Sequence, residues 1–150
     1  MKKIFKISYA ALVCLTLIII GCSDSDNDFT GIANTELSGK VFGTEFKAKG
    51  GQAFMSGNNE LSVHITNIQA DCSSDIFDYE LEVSTYVKAE LGTYNNTNVV
   101  FNKKGFGPLN YLQGVVEVVR IANNEVTLKI KANSSADNSV EGFFTLPFCK

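Results

Sequence analysis

From Leu37 onward the chain consists of short stretches in which apolar and polar residues alternate, cut at close intervals by Gly and Asn. A period of two places successive side chains on opposite faces of a strand. No window of about eleven residues carries the apolar stripe at three- and four-residue spacing that a helix needs. The pattern restricts residues 37–150 to a single all-β domain.

The runs can be followed one by one. Residues 37–42 and 45–49 flank Gly43-Thr44, which reads as a two-residue hairpin turn with Gly first. Gly50-Gly51 breaks the chain before 52–55. Gly57-Asn58-Asn59 is a turn. Residues 60–68 alternate, with Leu61, Val63 and Ile65 on one face and Ser62, His64 and Thr66 on the other. Residues 70–78 form a polar loop that contains Cys72. Residues 79–87 alternate again, with Tyr79, Leu81 and Val83 against Glu80 and Glu82. Residues 88–97 read as a connection, 98–102 as a short strand, and 103–110 as a loop with Gly105, Gly107 and Pro108. A strong hairpin follows, 112–121 and 125–132, and residues 139–148 close the domain.

The hairpin permits a register argument. A two-residue turn at Asn123-Asn124 would set Glu117 opposite Ile130 and bury a carboxylate. A three-residue turn, Ala122 to Asn124, sets Glu117 opposite Lys129, Val116 opposite Ile130 and Val118 opposite Leu128. Opposite charges across a ladder gain up to ~1 kcal/mol. An unpaired buried carboxylate costs several times that. The three-residue turn is therefore the expectation. About eight to nine short antiparallel strands joined by tight turns suggest a β-sandwich, with a closed β-barrel as the alternative.

The first 36 residues have a different character. Lys2, Lys3 and Lys6 precede an almost wholly apolar run, 7–20. As a helix that run would span about 21 Å, short of the ~30 Å hydrocarbon core of a bilayer. A basic start, a short apolar run and a small residue at its end make a signal peptide, 1–21. Ile19-Ile20-Gly21-Cys22 resembles the lipobox of bacterial lipoproteins. The resemblance implies cleavage before Cys22 and lipid attachment to its thiol. Several acyl chains are needed, because one chain binds a membrane only marginally. Ser23-Asp24-Ser25-Asp26-Asn27-Asp28 resembles the acidic export signal of surface lipoproteins in the Bacteroidota. Residues 22–36 are polar enough to serve also as a tether. A calcium-loop reading of the same aspartates fails. The EF-hand pattern wants Gly sixth and Glu twelfth, and Phe29 and Thr35 stand there.

The domain resembles small single-domain surface lipoproteins of the Bacteroidota. The shared pieces are Gly43 to Phe46 in the first hairpin, Leu91-Gly92-Thr93-Tyr94, and Gly142 to Thr145 near the end. The resemblance implies an all-β fold and supplies no activity. The implied location is the outer membrane, lipid-anchored at the cell surface, with the periplasmic face as the alternative.

Of four cysteines, Cys14 leaves with the leader and Cys22 carries lipid. Cys72 and Cys149 remain, and outside the cytoplasm two such thiols pair. There is no C-x-x-C, and His64 is the only histidine. Neither a metal cluster nor a cofactor is expected. His64 is expected to face solvent or to sit between its Ser and Thr neighbours. Glu80 and Glu82 share a strand face about 7 Å apart. A solvated surface is expected there rather than a glycosidase pair. Asp71, Asp75 and Asp78 read as surface acidity.

Charge narrows the partners. The whole chain is −3. Loss of the three leader lysines leaves ten basic against 16 acidic residues. Nucleic-acid binding needs clustered Lys and Arg, so no nucleic acid is expected. The chain has 11 Phe and 5 Tyr, and four of these, Tyr94, Phe101, Phe106 and Tyr111, fall in or beside the longest connections. Loops on a rigid scaffold are where recognition concentrates. These aromatics are the expected ligand contacts. The expected function is non-catalytic binding of a glycan, a peptide or an envelope protein partner. A structural or assembly role is the alternative, and a glycan-acting enzyme is a more remote one.

Overall fold

A computed structural model of the chain describes residues 31–150. The leader, Cys22 and the acidic run 23–28 lie outside the described residues. The fold is all-β, with nine strands in one sheet. In chain order they are β1 (Ser38–Val41), β2 (Thr44–Lys47), β3 (Gly50–Met55), β4 (Glu60–Thr66), β5 (Leu81–Lys88), β6 (Gly92–Lys103), β7 (Leu109–Ala122), β8 (Glu125–Ser135) and β9 (Asn138–Cys149).

The sheet is not a sandwich. It closes on itself as a seven-stranded barrel, β3 to β9, which was the alternative. The physical reason is β9. This long strand pairs with β8 along its length and meets β3 in parallel through Ala53–Phe148 and Phe54–Cys149. Alternation along a strand reports that one face is buried. It does not report whether the sheet packs on a second sheet or on itself. Leu61, Val63 and Ile65 of β4 point inward, with Leu81 and Val83 of β5, Phe101 of β6, and Leu128 and Ile130 of β8. Together they fill the barrel.

β1 and β2 form a hairpin outside the ring. β1 pairs with the first half of β9, while Val41 and Phe46 join the core. The hairpin turn is Phe42-Gly43, one residue earlier than expected. Both residues have positive φ, 49° and 72°, as a type I′ turn requires. Asn138 Oδ1 accepts from Phe42 N at 2.8 Å, and Asp137 O accepts from Gly43 N at 2.9 Å. The β8–β9 turn thus supports the strained Phe42. The contacts of the domain also reach ahead of Leu37, into residues expected to be tether. Ile32 is buried, Thr35 O accepts from Phe143 N at 2.8 Å, and Glu36 bridges to Phe143. Gly142 permits that crossing, since a Cβ there would stand 2.5 Å from Thr35 O.

The expected register of the β7–β8 hairpin is present, but for another reason. Glu117 faces Lys129, Val116 faces Ile130 and Val118 faces Leu128. The turn nevertheless has two residues, Asn123 and Asn124, at φ 55° and 60°. The extra residue is a bulge at Val119, between Val118 and Arg120. A bulge shifts register by one just as a longer turn does. β6 is longer than expected. Its first half, Gly92 to Thr97, falls within the connection expected from the turn formers Gly92 and Asn95-Asn96. It pairs with β7 through two irregularities. β3 similarly takes in Gly50 and Gly51.

Candidate functional site

The disulfide expected from the cysteine count joins Cys72 and Cys149, with Cα atoms 5.4 Å apart. It closes a separation of 77 residues, worth roughly 4 kcal/mol on chain-entropy grounds. Its structural effect is local as well. The loop between β4 and β5 turns back over the outer face of β3 and β4 to reach β9. Gln52 Nε2 donates to Ser74 O at 3.2 Å, and Ala70 O accepts from Gly51 N at 3.0 Å.

A groove of about 590 Å³ lies beside this crossing, lined by Gln52, Phe54, Met55, Cys72, Phe148, Cys149 and Lys150. Phe54 and Met55 come from β3, Phe148 and Cys149 from β9. The groove therefore lies at the seam where the barrel closes, with Phe54 and Cys149 on the outer face and Phe148 packed against the core. Its walls are largely apolar, with the Gln52 amide and the Lys150 ammonium as polar groups. A smaller hollow of about 200 Å³ lies within the loop, against Ala70, Asp71 and Ser74.

Next to the groove is a polar cluster. The Phe54 ring stacks on His64, with centroids 5.6 Å apart and planes 6° apart. His64 Nδ1 bonds to Glu82 Oε1. A carboxylate accepts, so Nδ1 carries the hydrogen. Ser62 Oγ lies 3.0 Å from His64 Nε2. Asn102 Nδ2 donates to Glu82 Oε2 at 3.3 Å and to Ser84 Oγ at 3.1 Å. Glu82, expected on a solvated face with Glu80, is only 3 % exposed. His64 of β4 and Asn102 of β6 close in on it from either side. The Tyr79 hydroxyl in the β4–β5 loop has its pKa raised, by burial first and then by the nearby Glu82 charge.

Ser62, His64 and Glu82 stand in the order of a nucleophile, a base and its orienting acid. The surroundings do not suit acyl transfer. Ser62 is 1 % exposed and is paired with Phe54 across the ladder, so its oxygen is not open to a substrate. The cluster ties β3, β4, β5 and β6 together on the outside of the barrel.

The four expected contact aromatics are not brought together. Phe101 is wholly inside the barrel. Tyr94 and Tyr111 pack against the core from its margin. The Tyr94 hydroxyl donates to Glu90 O at 2.9 Å, and its pKa is raised by desolvation first and by Glu90 second. Phe106 alone is open, at 60 % exposure. It lies 5.7 Å from Phe42 under the Lys103 ammonium. Tyr94 lies near the start of β6 and Phe106 beyond its end, so roughly 30 Å of strand separates them. The groove aromatics, Phe54 and Phe148, escaped notice because each sits in a regular strand. Only the disulfide, which ties the β4–β5 loop to β9, marks where they meet.

Asp71, Asp75 and Asp78 stay apart from one another in function. Asp71 Oδ1 accepts from Ser73 N at 2.8 Å and Ser73 Oγ at 2.6 Å, and Asp75 Oδ1 accepts from Phe77 N at 2.9 Å. Asp78 faces Lys104 at 3.6 Å. Among the described residues no three His, Cys, Asp or Glu side chains are gathered as a metal site. Compared with known proteins, the chain matches no family model, no curated protein and no solved structure.

Proposed function

We propose that this protein is a lipid-anchored envelope lipoprotein whose barrel is a non-catalytic binding module, and that its ligand sits in the groove between β3 and β9. The observation that carries the reading is where open space lies. The barrel interior is filled by Val, Leu, Ile and Phe side chains, whereas the groove lies open at the β3–β9 seam. Phe54, Met55 and Phe148 offer apolar surface there, and Lys150 offers a positive charge at one end. That chemistry suits a peptide or glycan presenting an apolar face and an anionic group. The disulfide supports an oxidising compartment, and the lipobox supports anchoring through Cys22.

Two measurements test the reading. Palmitate labelling of cells should mark the wild type and not Cys22→Ala. Peptide and glycan arrays should yield binders whose affinity falls at least about tenfold in Phe54→Ala, as for an aromatic anchor in a pocket. Equal binding by that variant would remove the groove from the function.

A second reading, a structural or assembly component without a small ligand, draws on exposed apolar side chains of the β6–β7 ribbon. Leu91 precedes Gly92, which pairs with Val118, so it lies near exposed Val119. Leu112 is exposed further along β7. Cross-linking in intact cells from positions 91 and 112 would capture a neighbouring envelope protein if this reading holds.

A further inference from the structure

We infer that the Cys72–Cys149 disulfide is a redox latch on the groove: reduction releases the β4–β5 loop and takes down one wall of the site while the barrel stays folded. The inference rests on the groove being the binding site proposed above.

Three observations carry it. The first is that the latch is accessible. Cys72 is exposed, while Cys149 is half-buried against β3. A thiolate can therefore approach Cys72 Sγ from solvent. The second is that little else holds the loop. Between Ala70 and Asp78, its other polar ties to the wall are the Gly51 N–Ala70 O and Gln52–Ser74 hydrogen bonds and the exposed Lys104–Asp78 pair. Its remaining bonds are internal, such as Asp71 to Ser73 and Asp75 O to Asp78 N. The third is that β9 does not depend on the latch. It is laddered to β8 as far as Glu125–Pro147, and Phe148 N donates to Asn124 O at 2.7 Å. Val140 and Leu146 remain in the core. Cutting the bond thus frees the loop and Cys149 itself, and removes the Cys72 wall of the groove.

The chemistry balances with a dithiol as reductant. Its first thiolate attacks Cys72 Sγ, the S–S bond breaks, and Cys149 leaves as a thiolate that takes a proton. The second thiol of the reductant attacks the mixed disulfide. Cys72 leaves as a thiolate and is protonated. The protein disulfide is reduced by two electrons, and the dithiol is oxidised to its own disulfide.

Hydrogen exchange on the full chain, oxidised and reduced with dithiothreitol, tests the release directly. Gly51 N, which donates to Ala70 O where the loop crosses β3, should exchange at least about tenfold faster after reduction, while β5 to β8 stay protected. The Cys72→Ser/Cys149→Ser double variant should match the reduced protein. Unchanged exchange at Gly51 overturns the inference. So does loss of protection throughout the barrel, because the bond would then be a staple for the whole fold. The groove is read separately with 1-anilinonaphthalene-8-sulfonate, an aromatic body bearing a sulfonate. The oxidised protein should bind it and the reduced protein at least about tenfold more weakly. Equal affinity in both states overturns the latch and leaves the groove standing. No binding by the oxidised protein removes the groove reading, and exchange alone then decides whether the loop is released.

Discussion

From β4 to β8, strands that touch in space follow one another in the chain, and every pairing is antiparallel. At the seam, residues 53–54 meet residues 148–149 in parallel, and a disulfide bolts the crossing from outside. The first region derives its cohesion from ladders and a continuous apolar interior. The second depends on contacts between distant parts of the chain, and these leave a groove. Closing a barrel requires at least one such junction, and here the junction is also where open surface is found.

The largest expected effect tests whether the ladder region carries the stability. Phe101 lies at the centre of it, fully enclosed. Phe101→Ala should cost about 3–5 kcal/mol in urea unfolding, the usual loss for a buried Phe. Phe106, exposed at the rim, should cost less than about 0.5 kcal/mol when cut to Ala. Similar losses for both would mean that the interior is not the main source of stability. It would also return Phe101 to the list of surface contacts.

A smaller effect is expected where the two regions are joined. Glu82 is almost fully enclosed and is held by His64 and Asn102. Glu82→Ala leaves an imidazole and an amide without their acceptor, a loss of about 1–3 kcal/mol. Glu82→Gln keeps the shape and should lose less. The Ala variant should also loosen Phe54, which rests on the His64 ring, and so weaken groove binding. A full loss of stability with unchanged binding would separate the cluster from the groove.

The same division decides what could be read from the chain alone. The inward faces of β4 and β5 were legible because alternation is a local signal, and so was the pairing of Glu117 with Lys129, because an unpaired carboxylate is costly. The means of achieving that pairing was not legible. A bulge at Val119 and a longer turn shift the ladder equally, and composition does not distinguish them. Barrel against sandwich was not legible either, because β3–β9 pairing spans almost the whole domain. The disulfide was legible by counting, though not its consequence. Phe54 and Phe148 read as ordinary strand residues, because the β3–β9 pairing that brings them to one groove joins distant parts of the chain. The burial of Glu82 was not legible for a similar reason, since His64 and Asn102, which hold it, come from other strands.

The smallest effect concerns the crossing loop itself. Asp71 is fully open to solvent, and yet its carboxyl is held below the ordinary 3.8 by the Ser73 hydroxyl first and the Ser73 amide next, with Ser74 adding to them and slight desolvation opposing. A lowered value in the folded state means that the turn gains its support above the unfolded pKa. That support fades as pH falls through the depressed folded value. Mild acid near pH 4 should therefore leave the 71–74 turn intact, and only stronger acid should loosen it. Carbon-detected NMR titration of the Asp71 carboxyl should give a midpoint below 3.8, moving back toward it in Ser73→Ala. The informative comparison is between oxidised and reduced protein. If the loop swings away as a preformed body, its internal bonds survive and the Asp71 midpoint stays put after reduction. A midpoint that returns to the ordinary value on reduction would show instead that the disulfide shapes the turn as well as holding it to the wall. The loop would then belong to the seam in its internal structure too, and the two regions would differ more sharply than their ladders alone suggest.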